Sequence, residues 1–201
     1  LFTIQQPTSL PACPIIQACY RKECIDRFNA DEGVARLLGL VVVVLVDRAL
    51  FARVEQVQPE LIVCAGYMRI ISAEVAQRFE RRMINLHPSL LPRHPGLDTH
   101  ARVLAAGETE HGASVHAVIP ALDAGPVLAQ VRLDVAAGDT ADDLARRLSP
   151  REHALLVACT AAIAGGRARL AGGRWSFDGE TLMQPLQLDA NDQLQLETAH
   201  A

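Results

Sequence analysis

The chain has 201 residues, half of them apolar, and a formal net charge of −4, which suits one domain with a sizeable core. Acidic and basic residues are interleaved without a Lys/Arg tract, which argues against binding of nucleic acid through its phosphates. The longest apolar run, residues 37–46, is too short to span a membrane and no basic signal region is visible, so we expect a cytoplasmic protein.

Helices and strands alternate from Asp47 onward. Apolar residues at helical spacing predict a helix over residues 47–57, and the continuous apolar run 61–65 predicts a buried strand. Ser72 is placed to cap a helix over residues 73–79, which precedes a second strand at 83–87. This alternation predicts an α/β fold: a single Rossmann-like domain with a mostly parallel sheet flanked by helices.

The C-terminal part predicts an antiparallel portion. Strands 113–119 and 127–135 are joined by the tight turn Leu122-Asp123-Ala124-Gly125-Pro126, so we expect them to pair. A helix over residues 100–106 precedes them, and residues 167–177 predict a terminal hairpin.

The last long helix begins at a capping box, Thr140 with Asp143, and we predict that Pro150 interrupts and restarts it. The polar residues 186–201 predict a poorly ordered tail. We therefore expect one functional domain over residues 1–185.

The five cysteines do not form a metal motif. Their number is odd, and no Cys-x-x-Cys pair or nearby His completes a tetrahedral site. Reduced thiols and no metal are the prediction.

The pattern Asn85-x-His87 at the end of a strand is the main candidate for chemistry. Side chains two apart in a strand project from the same face, so both would point into the crevice at the carboxyl end of the sheet. An amide can stabilise an oxyanion, and an imidazole can give or take a proton near neutral pH. Asp123, in its Gly-Pro turn, would stabilise the imidazolium form of His87 if the fold brought the two together.

Five separated blocks resemble the phosphoribosylglycinamide formyltransferase family, in family order from about Asp47 to Phe177. The blocks are Ala65-Gly66-Tyr67-Met68-Arg69-Ile70-Ile71-Ser72, Asn85-Leu86-His87-Pro88-Ser89-Leu90-Leu91-Pro92 with His94-Pro95-Gly96, Glu110-His111-Gly112-Ala113-Ser114-Val115-His116, Leu122-Asp123-Ala124-Gly125-Pro126 and Glu152-His153-Ala154.

The resemblance implies a role for each matched residue. Asn85 would hold the oxygen of the tetrahedral intermediate, His87 would act as the acid, and Asp123 would keep His87 charged. The folate pocket would be lined by Met68, Arg69, Ile70 and Ile71 together with Asn85, and residues 118–123 would close over the pteridine. Glu152 would contact the glycinamide substrate.

The activity that the resemblance implies is transfer of a formyl group from 10-formyltetrahydrofolate to the amine of glycinamide ribonucleotide, in purine synthesis. No Ser or Cys nucleophile accompanies the Asn-His pair, which favours direct attack by the amine. No metal, nucleic acid or membrane partner is expected, and the protein would be a monomer or a homodimer.

Two other users of 10-formyltetrahydrofolate are alternatives. The methionyl-tRNA formyltransferase shares the Asn-x-His and Asp arrangement but carries a basic second domain for tRNA. The formyltetrahydrofolate hydrolase usually has a second His where this chain has Pro88. The loop after His87 resembles neither of these two enzymes as closely as it resembles the phosphoribosylglycinamide formyltransferase family.

The N-terminal residues 1–46 match the family poorly. The family has a Gly-x-Gly-Ser-Asn loop that binds phosphate through backbone N–H groups, whereas Ser9-Leu10-Pro11-Ala12-Cys13 stands at that place. Two explanations are open. The N-terminal sequence is incomplete or misread, which we favour because the later blocks are intact, or the protein is a non-catalytic folate-binding protein that has lost phosphate binding.

Overall fold

The structure, a computed structural model, describes residues 49–66 and 70–196. The chain divides into two compact units, Leu1–Val57 and Gln58–Ala201. In the first unit, residues 49–57 are helical, which agrees with the predicted helix. The poorly matching segment 1–46, including residues 9–13, lies outside the described residues.

The second unit is built from nine strands and three helices among its described residues. The strands are β1 (Ile62–Ala65), β2 (Met83–His87), β3 (Glu110–Ala117), β4 (Val127–Asp134), β5 (Ala168–Ala171), β6 (Arg174–Phe177), β7 (Glu180–Thr181), β8 (Leu186–Leu188) and β9 (Leu194–Gln195). The helices are α1 (Ala73–Arg78), α2 (Thr99–Ala105) and α3 (Ala141–Ala164).

Six of these strands form one sheet in the order β1-β2-β3-β4-β8-β9. Strand β2 is parallel to β1 and antiparallel to β3, and β4 is antiparallel to β3 and parallel to β8. Over the described residues the sheet is therefore mixed, and the predicted α/β class is confirmed. The predicted hairpin is also confirmed, as β5 and β6 of a small three-stranded sheet.

The helix starts follow the predicted capping residues. The Ser72 hydroxyl accepts a hydrogen bond from the Val75 N–H, 3.4 Å away, and α1 begins at the next residue. At α3 the Thr140 hydroxyl accepts from the Asp143 N–H while the Asp143 carboxylate accepts from the Thr140 N–H. Both caps satisfy N–H groups that have no partner inside the helix.

The predicted interruption at Pro150 is wrong, because α3 is one helix of 24 residues with Pro150 inside it. A proline in a helix interior removes a hydrogen bond at a cost of about 3 kcal/mol. Here Leu144 and Leu148 before the proline and Leu155 and Cys159 after it are fully buried. Packing of both halves on the same core offsets the lost bond.

The predicted tail beyond Pro185 is also wrong over residues 186–195. Leu186–Leu188 forms β8, which pairs with β4, and Leu186 is completely buried. The alternation Leu-Gln-Leu places the two leucines on the buried face of a short strand. The flanking polar residues concealed this short apolar pattern.

The main core lies between the sheet and α3. Its centre is formed by Val115, Leu128, Val131, Leu155 and Leu186. Burial of one such leucine stabilises the fold by roughly 1.5–3 kcal/mol. The Trp175 indole packs on this core and donates to the Pro126 carbonyl at 2.8 Å, which ties the small sheet to the turn before β4. Of the helices in the described segments, none has the length and apolar character needed to cross a membrane.

Candidate active site

Strands β2 and β3 present four polar side chains on one face. Asn85 stands opposite His116 and His87 stands opposite Ser114 in the antiparallel register. Directly opposite residues in such a pair point to the same side of the sheet. His87, Ser114 and His116 are almost completely buried, although they are polar.

The turn between β3 and β4 brings Asp123 to this face. Its backbone is left-handed, with φ of 49°, a conformation that Asp tolerates better than most residues. Asp123 Oδ2 lies 3.5 Å from His87 Nδ1, and Oδ1 lies 3.6 Å from His116 Nε2. The approach of Asp123 to His87, which the sequence left open, is therefore present.

The contacts of Asp123 with the two imidazoles, at 3.5 and 3.6 Å, are longer than ordinary hydrogen bonds. Asn85 Nδ2 lies 3.2 Å from His116 Nε2, so an amide, two imidazoles and a carboxylate face one small space. Such an arrangement can donate to a developing oxyanion and move a proton within the same site.

Hydrogen bonds fix the orientation of His116. Its Nδ1 donates to the Ala117 carbonyl at 2.9 Å, so in the neutral ring Nε2 is an acceptor and faces the Asn85 amide nitrogen. Burial lowers the pKa of His116, against the opposing influence of that carbonyl and of Asp123. The neutral ring therefore orients the amide of Asn85.

A buried polar network holds the loop that follows His87. The Ser114 hydroxyl donates to the Ser89 carbonyl at 2.6 Å and accepts from the Leu91 N–H at 3.0 Å. The Gln130 amide donates to the Leu91 carbonyl at 2.9 Å and also to the Ser114 hydroxyl. Gly112 permits Leu90, in this loop, to pack closely against β3, because a Cβ at position 112 would lie 2.6 Å from Leu90 Cδ2.

An elongated cleft opens beside these groups. Its cavity volume is about 90 Å³, and it is partly open to solvent. Asn85, His116 and Asp123 line its polar end. The remaining lining residues are mostly apolar: Cys64, Ile70, Ile71, Val118, Ile119, Pro120, Ala121 and Leu122. Such a cleft with a few convergent polar groups is typical of a small-molecule site.

Five other residues were predicted from the sequence to bind ligands. Ile70 and Ile71 lie on the cleft, whereas Met68 and Arg69 fall outside the described residues. Glu152 lies on α3, partly buried, and is not among the residues that line the cleft. Burial raises the pKa of the Glu152 carboxyl, an effect that His153 opposes.

Four residues that hold the loop after His87 were not predicted from the sequence to do so: Ser114, Gln130, His94 and Glu108. The first two are polar residues at inward positions of strands that are otherwise apolar, which is a readable signal of a buried network. The other two form a contact of 2.6 Å between His94 Nε2 and Glu108 Oε1. A contact between two irregular segments far apart along the chain leaves no pattern in the sequence.

A second histidine pair lies where α2 meets β3. His100 Nδ1 and His111 Nε2 are 2.8 Å apart, and His111 is only 1% exposed. Burial, together with the charge of His100, lowers the pKa of His111 from its ordinary value of 6.5 to about 4. Burial also lowers the pKa of His100.

This pair predicts a loss of stability in mild acid. The folded pKa of His111 lies below the unfolded one, so its contribution is complete above pH 6.5 and is lost as the pH falls toward 4. We expect urea unfolding to report a loss on the order of 1–2 kcal/mol between pH 7 and pH 5, allowing for solvent screening. His111→Gln cannot titrate and should flatten that slope; an equally steep slope in the variant would contradict the assignment.

The fold agrees with comparisons to known proteins. Residues 32–160 match the formyl transferase family, so the chain belongs to that family. It is 40% identical over 136 residues to the phosphoribosylglycinamide formyltransferase of Escherichia coli, which covers 68% of this chain and 64% of that protein. The enzyme of the same name from Mycobacterium tuberculosis is 42% identical over 118 residues, or 59% of this chain and 55% of the relative.

Solved structures give the same result. A phosphoribosylglycinamide formyltransferase from Coxiella burnetii superimposes with a TM-score of 0.65 at 42% identity, covering 68% of this chain and 64% of that one. A formyltetrahydrofolate deformylase from Pseudomonas syringae gives a TM-score of 0.59 at 26% identity, covering 64% and 45%. The chain thus spans slightly less than two thirds of the first of these relatives.

Proposed function

We propose that the protein transfers a formyl group from 10-formyltetrahydrofolate to the amine of glycinamide ribonucleotide. The observation that carries the proposal is that Asn85 and Asp123 line the polar end of one cleft, with His87 Nδ1 lying 3.5 Å from the Asp123 carboxylate behind it. The two bacterial relatives at 40% and 42% identity bear the name of this enzyme, which supports the choice of acceptor.

The reaction moves one carbon between two nitrogens. The amine attacks the formyl carbon and forms a new C–N bond, and the bond from that carbon to the folate nitrogen then breaks. The attacking amine loses one proton and the folate nitrogen gains one, so no external acid or base is consumed. The protein has to stabilise the oxygen of the formyl group during attack and to carry the proton.

The three side chains can divide this work. The second N–H of the Asn85 amide, beyond the one directed at His116, is available to the formyl oxygen. His87 Nε2 donates to the His94 carbonyl at 3.0 Å, which leaves Nδ1 facing Asp123. A charged His87 beside the Asp123 carboxylate can donate to the oxygen, and the carboxylate can accept the proton of the amine.

The apolar part of the cleft suits a flat aromatic ligand. Its apolar walls are formed by Ile70, Ile71 and residues 118–122. Backbone groups of the irregular segments 70–72 and 118–122 can form hydrogen bonds with polar atoms at the edge of a ring. We therefore assign this part to the reduced folate and retain Met68 and Arg69 as proposed folate contacts. The Glu152 carboxylate remains our proposal for a contact with the glycinamide part of the acceptor.

Two alternatives use the same donor. A formyltetrahydrofolate hydrolase is favoured by the structural likeness to the Pseudomonas syringae deformylase, but that match has the lower identity of 26%. The methionyl-tRNA formyltransferase would require a basic surface for tRNA, whereas the net charge of this chain is −4. The poor N-terminal match keeps a non-catalytic folate-binding protein as the third alternative.

An acceptor assay with formyl-labelled donor tests the proposal. The label should appear in formylated glycinamide ribonucleotide, with one tetrahydrofolate formed per product. Label in formate would indicate the hydrolase, and label in methionyl-tRNA would indicate the tRNA enzyme. Folate binding without any turnover, and without binding of glycinamide ribonucleotide in isothermal titration, would favour the binding-only protein.

A further inference from the structure

The backbone of residues 94–96 touches both proton-carrying side chains of the candidate site. The His94 carbonyl accepts from His87 Nε2 at 3.0 Å. Two residues later, the Gly96 N–H donates to Asp123 Oδ2 at 2.8 Å. Through these two hydrogen bonds the segment orients the side chains of both residues. The position of residues 94–96 therefore determines how His87 and Asp123 are placed.

The segment does not adopt this shape by local preference. His94 has φ of 52° and Gly96 has φ of 84°, both in the left-handed region. Glycine enters this region freely, but for His94 it is unfavourable, so surrounding contacts must hold it.

Glu108, which follows α2, supplies these contacts with both of its oxygens. Oε1 lies 2.6 Å from His94 Nε2, and Oε2 accepts from Arg93 Nη1 at 2.8 Å. The side chains of His94 and Glu108 are 14% and 22% exposed, so this pair is less screened than a surface ion pair. Glu110 is the useful contrast, because it pairs with Arg93 and Arg132 on the surface.

We propose that Glu108 is a positioning residue for formyl transfer, which holds Arg93 and His94 so that the His94 carbonyl and the Gly96 N–H keep the side chains of His87 and Asp123 in place. The expected change in kcat rests on the proposed function. The expected change in the hydrogen bond between His87 Nε2 and the His94 carbonyl does not depend on that function.

Three variants of the whole chain test the proposal. Glu108→Ala should keep its melting temperature within a few degrees, lower kcat about tenfold and leave KM for the folate nearly unchanged. Glu108→Gln, which retains an oxygen that can accept from His94, should have a kcat between those of wild type and Glu108→Ala. The matched control Glu110→Ala removes surface ion pairs and should keep wild-type kcat.

A second measurement does not depend on turnover. In protein labelled with ¹⁵N-histidine, the His87 Nε2–H should give a slowly exchanging NMR signal in wild type and in Glu110→Ala. In Glu108→Ala this signal should exchange quickly or vanish.

The outcomes separate this inference from the proposed function. It is overturned if Glu108→Ala retains the slow His87 signal, if its kcat stays at the wild-type value, or if Glu110→Ala shows the same loss. Absence of transfer by the wild-type chain would overturn the proposed function instead, and the NMR comparison would still decide the role of Glu108.

Discussion

Replacement of His87 or Asp123 by Ala should lower kcat for formyl transfer about a thousandfold while changing folate affinity little. In the proposed mechanism His87 donates to the formyl oxygen, and Asp123, 3.5 Å away, accepts the proton of the amine. Asp123 lines the polar end of the cleft and His87 lies beside it, whereas the walls that we propose for the folate are apolar. The loss should therefore fall on kcat rather than on binding.

Single-turnover kinetics and fluorescence titration with a folate analogue measure the two parts of this prediction. His153→Ala and Asp142→Ala change the same residue types at exposed positions on α3 and should leave both quantities near wild type. Near-normal turnover in His87→Ala and Asp123→Ala would show that the roles are wrongly assigned.

Gly125→Ala should impair stability and turnover together. A Cβ at Gly125 would lie 1.8 Å from the Ala117 carbonyl oxygen and 3.6 Å from His116 Nδ1. The turn that carries Asp123 would have to move away from β3, to which Ala117 belongs. We expect a loss of about 2–3 kcal/mol in urea unfolding and about a hundredfold loss in kcat.

Gly138→Ala is the control for this substitution. Gly138 has φ of 85°, and a Cβ added there would meet nothing within 4 Å, so Ala adds backbone strain alone, in the loop between β4 and α3. It should lower stability by about 1 kcal/mol and leave kcat unchanged. If Gly125→Ala behaved in the same way, close packing of the Asp123 turn would not be required for activity.

Local patterns predict the parts of the fold that depend on neighbouring residues. Met83–His87 is recognisable as a strand because its apolar run ends in Asn-x-His, and the capping residues Ser72 and Thr140 identify two helix starts. These features depend on backbone geometry over three to five residues. The sequence alone also places Asn85 and His87 on one face, because side chains two residues apart in a strand point to the same side.

Features that depend on distant packing are not predictable in this way. Pro150 is tolerated because both halves of α3 bury leucines, and Leu186 is a strand residue because it pairs with β4. The approach of Asp123 to His87 depends on a left-handed turn and on the Gly96 N–H. Glu108 carries no local signal, because its partner His94 comes from a loop 14 residues earlier in the chain.

A crystal structure with a folate analogue that carries a non-transferable carbonyl at the formyl position would test the central claim most directly. We predict that the carbonyl oxygen lies about 3 Å from both Asn85 Nδ2 and His87 Nδ1, with the Asp123 carboxylate on the side open to the amine. A carbonyl bound well beyond hydrogen-bond reach of these two nitrogens, or an analogue seated elsewhere on the protein, would contradict it.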